Sequence, residues 1–533
     1  MQKVFLCETL HLHSLQKARR CGCAAIVTNN IRLPSNTDIT GIEIVDANQF
    51  RKEGSWYSYN LNKKVLDELK LKFPFLFEYQ GQDLTRALYK HFYWFNYKQG
   101  YLLIAANKRF GSSARLVFYE DKSQSAITDL LKLFIYFFAG LFSFLKRPAL
   151  SQAEKLPGKY IVFVNGLGMY QLLKRMLDKL GKEQVSFFIY QDYGADASEL
   201  ANELEKDHGS YFMQPLQKGF ELTFFNPFHL RYAELFYFIR LLEILPVMRS
   251  FLDDLDSVRG KNTKAFITNS LENAFQGHLI DESGKRNHIK TINMMNGMKT
   301  GTANNADTSF DAWLVWDEQM KKMLMEDCFI PEQQLVNIGG HLMEDQARMH
   351  TFSGKAGIDR AVHQGKKVIS FYSVRGHRKD KIDALRILYD MLRDDVSIHV
   401  LYRPHPLEKK EEYVLPDDES LKRRVFVVGN GNDNNKNSLY DQLLSSDISL
   451  VLASTVALES RWMGVPAITF EQAERSLLYC VDDRTIFHAR TGGQLEQLIK
   501  ELLVRQPQSN RNGGEVSYQV SSKYAAFITS FAC

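Results

Sequence analysis

The chain reads as an α/β protein with two Rossmann-like, doubly wound domains facing a cleft. Three observations predict this. "KYIVFVNGLGMYQLLKRMLDKLGKEQVSFFIYQDYG" gives a strand over Tyr160–Val164, a glycine-containing turn, a helix and a second strand over 185–190. That βαβ pattern implies a parallel sheet. After residue 360 the rhythm repeats, with apolar runs of strand length alternating with helical patterns. The polar residues that stand out fall where the apolar runs end, and doubly wound sheets bind ligands beyond the carboxyl ends of their strands.

The bulk numbers agree. The 533 residues exceed one ordinary domain, and 45% hydrophobic with 24% charged residues is a globular composition. A net charge of +5 over this length is weak and gives no argument for nucleic acid as a partner. Cys7, Cys21, Cys23, Cys328, Cys480 and Cys533 form neither a paired zinc pattern nor a disulfide framework. Buried or free thiols in a reducing compartment are expected.

The opening "MQKVFLCETLHLHSLQKARR" lacks a long apolar core and a small-residue cleavage site, so it is not read as a signal peptide. Residues 1–150 read as an N-terminal α/β region. "KVFLCETLHLHSLQKARR" suggests a strand and a basic helix, and "CAAIVTN" and "GIEIVDA" suggest further strands. The aromatics of "ALYKHFYWFNYKQGYLLIAANKRF" suit packing. The segment 129–148, "DLLKLFIYFFAGLFSFLKRP", is apolar, interrupted by Lys132 and closed by Lys146-Arg147. Its apolar run is too short to span a bilayer comfortably, so an interfacial helix or a buried core helix is expected. Peripheral contact at the inner face of the cell membrane, on an otherwise cytoplasmic protein, is the matching expectation.

Residues 151–350 read as a Rossmann-like acceptor domain. "AFITNS", "HIKTINMMNG", "FDAWLVWDEQMKKML" and "QLVNIGG" continue the alternation. Asn165-Gly166-Leu167-Gly168 lacks the third glycine of a dinucleotide fingerprint, so it reads as a tight strand-to-helix turn. "SGKAGIDRAVHQGKK" reads as the crossing between domains. Residues 360–505 read as a second Rossmann-like block, built from "KVISFYSVRGHR", "KIDALRILYDMLRDD", "VSIHVLYRPHP", "RRVFVVG", "LYDQLLSSD", "ISLVLAS", "TVALESRWMG" and "VPAITFE". Residues 506–533 combine a loose Gln/Asn/Gly-rich tail with a terminal helix, "YQVSSKYAAFITSF", expected to cross back to the first block.

Chemistry concentrates at three strand ends. In "VSIHVLYRPHP", with a strand expected over Val396–Tyr402, two prolines lock the backbone around His405 beside Arg403. Arg403 suits an anion bidentately, and His405 can donate a hydrogen bond or proton to a departing phosphate oxygen. In "LVLASTVALESRW", Ser454 and Thr455 suit an N-cap and a phosphate seat, with Glu459 one turn on as an acceptor for ribose hydroxyls. In "YSVRGHR", Ser373, Arg375 and His377 offer further phosphate contacts. A capped helix, a structural histidine and a solvated basic turn are the plain alternatives. No Asp-x-Asp pair or His/Cys cluster has convincing metal-ligand spacing, so no metal and no cofactor is expected.

The Arg-Pro-His-Pro turn, the later Ala-Ser-Thr-x-x-x-Glu and Gly464-Val465-Pro466 resemble the nucleotide-binding half of GT-B glycosyltransferases of bacterial surface polysaccharides, capsule and lipopolysaccharide enzymes included. Among them are transferases using CMP-linked Kdo or sialic acid. The order of elements is also similar to CDP-glycerol glycerophosphotransferases of teichoic-acid synthesis, through Asn296-Gly297, "FDAWLVWDEQMKKML", Gly340…Asp345 and Ser373-Val374-Arg375. The match covers roughly residues 291–470. Asn296 stands where the phosphotransferases carry histidine. Asparagine cannot act as a general base, which favours a sugar transferase.

The resemblance implies a metal-independent glycosyltransferase moving a sugar from a nucleotide-sugar donor to a glycan or lipid-linked acceptor. It places Asn296, Gly297 and Lys299 near acceptor or donor sugar. A base must deprotonate the acceptor hydroxyl, and Asp192 is the first candidate, with Asp307, Asp311, Glu272 and His278 as competitors. A CDP-polyol phosphotransferase, an isomerase acting like a UDP-N-acetylglucosamine 2-epimerase and a non-catalytic nucleotide-sugar-binding protein are the rival readings.

Overall fold

The computed structural model describes residues 2–31, 37–111, 114–118, 155–190, 197–207, 209–214, 233–269, 274–295, 309–354, 358, 360–374, 379–405, 408–429, 436–452, 454–472, 486–504 and 520–532. The apolar segment 129–148 and the candidates Asp192, Glu272, Asn296, Gly297, Lys299, Asp307, Arg375 and His377 lie outside them.

Three parallel sheets carry the chain. The first joins β1 (Lys3–Leu10), β2 (Ala25–Ile31), β3 (Glu43–Asp46) and β6 (Arg115–Phe118) in the order β3-β2-β1-β6. A small antiparallel pair, β4 (Glu78–Tyr79) and β5 (Gln82–Asp83), lies between two long helices.

The central sheet contains β7 (Tyr160–Val164), β8 (Val185–Ile189), β9 (Ser210–Met213), β10 (Ala265–Asn269), β11 (Lys290–Met294), β12 (Ala312–Val315) and β13 (Leu335–Asn337). Their order is β13-β12-β11-β10-β7-β8-β9. The third sheet contains β14 (Lys367–Tyr372), β15 (Ile398–Arg403), β16 (Val425–Val427), β17 (Ile448–Val451), β18 (Ala467–Phe470) and β19 (Ile486–Ala489), in the order β16-β15-β14-β17-β18-β19. In both sheets the chain winds outward from one central strand, then crosses to the other side and winds outward again. The reversal falls between β7 and β10 in one and between β14 and β17 in the other, which makes both doubly wound.

The sequence pattern explains these elements. Strands β7, β8, β10 and β15 are buried along their whole length, so they need apolar residues on both faces rather than alternation. Strand β15 starts later than the apolar pattern suggests. Asp395 Oδ1 accepts the Ser397 N–H at 2.8 Å and its hydroxyl at 2.6 Å, a turn that leaves Val396 74% exposed.

The two doubly wound units meet at their carboxyl edges. Met295 and Trp316, just past β11 and β12, share one core cluster with Tyr372, Val451, Leu458 and Trp462 of the third unit. His341 stacks on Trp462 at 5.5 Å and meets the edge of Trp316 at 4.7 Å. Asp441 ties the crossing segment down, accepting from Ser353 N (2.7 Å) and Oγ (2.8 Å) and meeting His350 Nε2 at 2.9 Å. The terminal helix Val520–Phe531 packs in one cluster with the helix Leu167–Leu180, as expected.

The first sheet adds a third parallel unit. Its link to the rest is a pair of helices, Arg51–Lys72 and Thr85–Phe110. Tyr101, Leu102 and Ala105 of the second helix pack on the first sheet, while its Leu88 and Phe92 join the core of the central unit. The two helices cross closely at glycine. A Cβ on Gly54 would lie 2.7 Å from the Tyr101 backbone, and one on Gly100 would lie 2.3 Å from the Gly54 carbonyl.

Candidate functional site

The third sheet brings Ser373, Arg403, His405, Ser454 and Thr455 to one carboxyl edge. Ser373 follows β14 and Ser454 follows β17, the two strands that flank the reversal, while Arg403 ends β15 next door. The Ser373 N–H donates to the Arg403 carbonyl at 3.0 Å, which zips the two strand ends together.

Arg403 is 9% exposed, and its Nη1 donates to Ser438 Oγ at 3.0 Å on the helix Lys436–Leu444. One donor of its fork therefore points into protein. Beside it, burial pushes the Tyr372 hydroxyl up, the Arg403 charge opposes that, and Glu459 adds to it. Arg403 and Glu459 thus both lie close enough to Tyr372 to act on it electrostatically.

Glu459 is completely buried, one turn inside the helix Val456–Trp462. Burial, then the neighbouring Glu459 charge, push the Tyr440 hydroxyl well above its ordinary value. The N-terminus of that helix lies just past β17. Thr455 occupies the N-cap without a side-chain bond, and Ser454 Oγ accepts the Val456 N–H at 3.3 Å. The helix is 7 residues long, so its dipole is small compared with that of a full-length helix.

The Arg-Pro-His turn is held by more than Pro404. Glu408 Oε2 accepts the His405 N–H at 3.0 Å, and the His405 carbonyl accepts the Glu408 N–H at 2.8 Å. The other carboxylate oxygen accepts from Tyr402 Oη at 3.2 Å and from Lys381 Nζ, which also donates to the Glu412 carbonyl at 2.8 Å. Both side chains of the Lys381–Glu408 pair are 0% exposed. Burial lowers the Lys381 pKa, and the Glu408 charge opposes the shift. His405 is itself half-buried at the rim of the turn.

Lys381, Glu408 and Ser438 were not singled out in the sequence. Only Glu408 left a signal, its place three residues after His405 in "PHPLE". Gly340 and Asp345 are brought together with the terminal helix. Asp345 Oδ2 accepts Ser521 N (3.0 Å) and Oγ (2.8 Å), and the Gly340 carbonyl accepts from Tyr524 Oη at 3.3 Å. That pair fastens the terminal helix to the central unit.

Two competitors for the base are located. Asp311 precedes β12, at the amino edge of the central sheet, where its Oδ2 accepts the Thr291 N–H at 2.8 Å. It lies at the wrong end of the strands for chemistry at the carboxyl edge. His278 is 2% exposed in the helix Phe275–Arg286, and burial, then the charges of Lys90, Arg86 and Lys285, hold its pKa well below the ordinary value.

Two facing doubly wound units with polar strand ends on the shared edge make this a GT-B-like α/β protein. No protein-family model matches the chain, and no curated protein matches it. Solved structures of similar fold include a glycosyltransferase from Rickettsia africae, at 14% identity over 71% of this chain and 99% of that one, with a TM-score of 0.44. A UDP-GlcNAc 2-epimerase from Methanocaldococcus jannaschii is 12% identical over 70% and 99%, with a TM-score of 0.46. A wall teichoic acid polymerase is 13% identical over 76% and 98%, with a TM-score of 0.39. At these identities the likeness is one of fold. No described helix is long and apolar enough to cross a membrane.

Proposed function

We propose that the protein is a metal-independent glycosyltransferase that takes a sugar from a nucleotide-activated donor, with a CMP-linked acidic sugar of the Kdo or sialic type favoured. The observation that carries the reading is the convergence of Ser373, Arg403, His405 and Ser454 at the reversal point of the third sheet, facing the carboxyl edge of the central sheet. Crevices at such points bind nucleotides in doubly wound folds.

The nucleotide lies on the third unit, with Ser373, Arg375 and His377 as further phosphate contacts and Ser454 and Thr455 at the strand end. The acceptor, a surface glycan or lipid-linked sugar, lies on the central unit near Asn296, Gly297 and Lys299. A base, with Asp192 the first candidate, takes the proton of the acceptor hydroxyl. The new bond forms from that oxygen to the anomeric carbon. The bond from carbon to phosphate oxygen breaks, and its electron pair leaves with the nucleotide. Arg403 and His405 stabilise the charge that develops there. Segment 129–148 would hold the enzyme peripherally at the inner membrane face, near a lipid-linked acceptor.

Thermal shift with CMP, CDP, UDP and GDP tests the reading, because a ligand that binds the folded state raises its melting temperature. CMP is expected to give the largest rise. Arg403→Ala and His405→Ala are each expected to weaken CMP binding by about tenfold to a hundredfold, the worth of a hydrogen bond to a charged group. A melting temperature that none of the four nucleotides moves would overturn the proposal.

A further inference from the structure

We infer that the carboxyl edge of the central sheet carries a separate oxyanion seat, formed by the N-terminus of the Leu167–Leu180 helix together with the Asn269 side chain. Its ligand is an anionic group flanked by a hydroxyl. Assigning that group to the acceptor rests on the transferase reading; the seat itself does not.

Two independent observations meet here. The first is the helix. It is 14 residues long and follows β7 through the turn Asn165–Gly166. Gly166 occupies the N-cap in extended backbone and has no side chain to cap with. The first amides of a helix have no intrahelical acceptor, so those of Leu167, Gly168 and Met169 point outward with the positive end of the dipole. A Cβ on Gly168 would meet nothing within 4 Å, so the space by this turn is open.

The second is Asn269, the last residue of β10. It is 1% exposed, and neither its Oδ1 nor its Nδ2 has a hydrogen-bond partner among the described residues. A buried amide left unpaired costs stability, and a ligand that pairs it removes that cost.

Register and face put the two together. Strands β10 and β7 are parallel neighbours with Ile267 opposite Val162, so Asn269 stands level with Val164, the last residue before the turn. Side chains alternate along a strand. Ala265 and Ile267 pack in one cluster with Val162, Val164, Tyr170 and Leu173, the last two from this helix. Asn269 is next in that alternation, so its amide lies on the helix side of the sheet, beneath the first turn. This is also the reversal point of the central sheet, where a crevice opens.

The donor set selects the ligand. Backbone N–H groups at a helix N-terminus and the Asn269 Nδ2 all donate, which suits a phosphate or carboxylate. The Asn269 Oδ1 accepts, which suits a hydroxyl on the next carbon. A dinucleotide fits poorly, because Gln171 stands where its fingerprint has the third glycine. A phosphorylated or carboxylated polyol or sugar fits the set.

The test is calorimetry on the full chain at constant ionic strength, with glycerol 3-phosphate and glucuronate as probes, each with and without saturating CMP. One probe is expected to bind in the presence of CMP, and which one binds separates phosphate from carboxylate. Asn269→Leu should weaken that binding by about tenfold or more, and Asn269→Asp further by repulsion. The Leu variant should melt no lower than the wild type, because it removes an unpaired buried amide, and the Asp variant serves if the Leu variant does not fold. Binding unchanged in both variants, displacement of the probe by CMP, or no binding of either probe would each overturn the seat. An anion that binds through Asn269 while CMP does not bind would keep the seat and sink the nucleotide reading.

Discussion

The turn after β15 and the turn after β7 occupy equivalent places, each at the carboxyl end of a strand in a doubly wound sheet, yet they are built differently. The first is clamped by side chains. Glu408 grips the His405 backbone at both its N–H and its carbonyl, and Lys381 and Tyr402 hold Glu408 in turn. The second has no side-chain cap, and its neighbour Asn269 has no hydrogen-bond partner among the described residues. A site that presents a side chain, as proposed for His405, has to fix a backbone that would otherwise move, and here buried charge does so. A site that presents backbone amides is fixed by the helix that supplies them. The contrast separates an edge built to hold a histidine in place from one whose donors stand ready.

The largest effect should come from breaking the clamp. Lys381→Ala leaves Glu408 buried without its cation, and the expected loss is about 3–5 kcal/mol of unfolding free energy, read by urea denaturation. The double change Lys381→Met with Glu408→Leu removes both charges and should recover most of that loss. Nucleotide binding should not recover with it, since the His405 N–H then loses the Glu408 carboxylate that accepts it. A double variant that is stable and binds normally would show that the clamp serves the fold and not the histidine.

A smaller effect concerns the central unit. His278 Nε2 is another buried polar atom there without a hydrogen-bond partner among the described residues, and the pKa of its ring is held well below the ordinary 6.5. The sign follows. As pH falls through 6.5 the unfolded chain takes up a proton at this histidine and the folded chain does not, so the unfolded state is favoured. Wild-type stability should therefore fall by up to about 1.4 kcal/mol per pH unit below that point from this residue alone. His278→Leu should flatten the slope in urea midpoints measured between about pH 7 and pH 5.5. An unchanged slope would place the titration elsewhere.

Much of the two doubly wound units could be read from the sequence, because strands buried on both faces are runs of apolar residues with turns at their ends. "KYIVFV", "AFITN" and "ISLVL" each announce a strand in this way. The first sheet was harder. Its strand β6 is separated from the other three by the helices Arg51–Lys72 and Thr85–Phe110, and the second of these packs into two different cores, so it shows no single apolar stripe. At the candidate site, Arg403 and His405 were visible because proline marks the backbone. The burial of Glu459 was not, since a carboxylate one turn into a helix looks the same whether it faces solvent or the core. The Lys381–Glu408 pair joins residues 27 apart through a helix and a strand, and no local pattern records such a contact. Asn269 was hidden for the opposite reason. Its peculiarity is a missing partner, and a missing contact leaves no trace in the chain.

The smallest predicted change sharpens the contrast most directly. Gly168 lies in the first turn of the uncapped helix, with open space where a Cβ would stand. Alanine is favoured over glycine within a helix by up to about 1 kcal/mol, and less so in a first turn, so Gly168→Ala should raise the melting temperature slightly. The new methyl would stand beside the outward amides, so the same variant should bind glycerol 3-phosphate or glucuronate more weakly than the wild type. Stability and binding would then move in opposite directions at one atom. If both rise together, the open space before the helix is not where the anion lies. If stability falls, glycine is required by the turn itself, and the two edges are less different than their hydrogen bonds indicate.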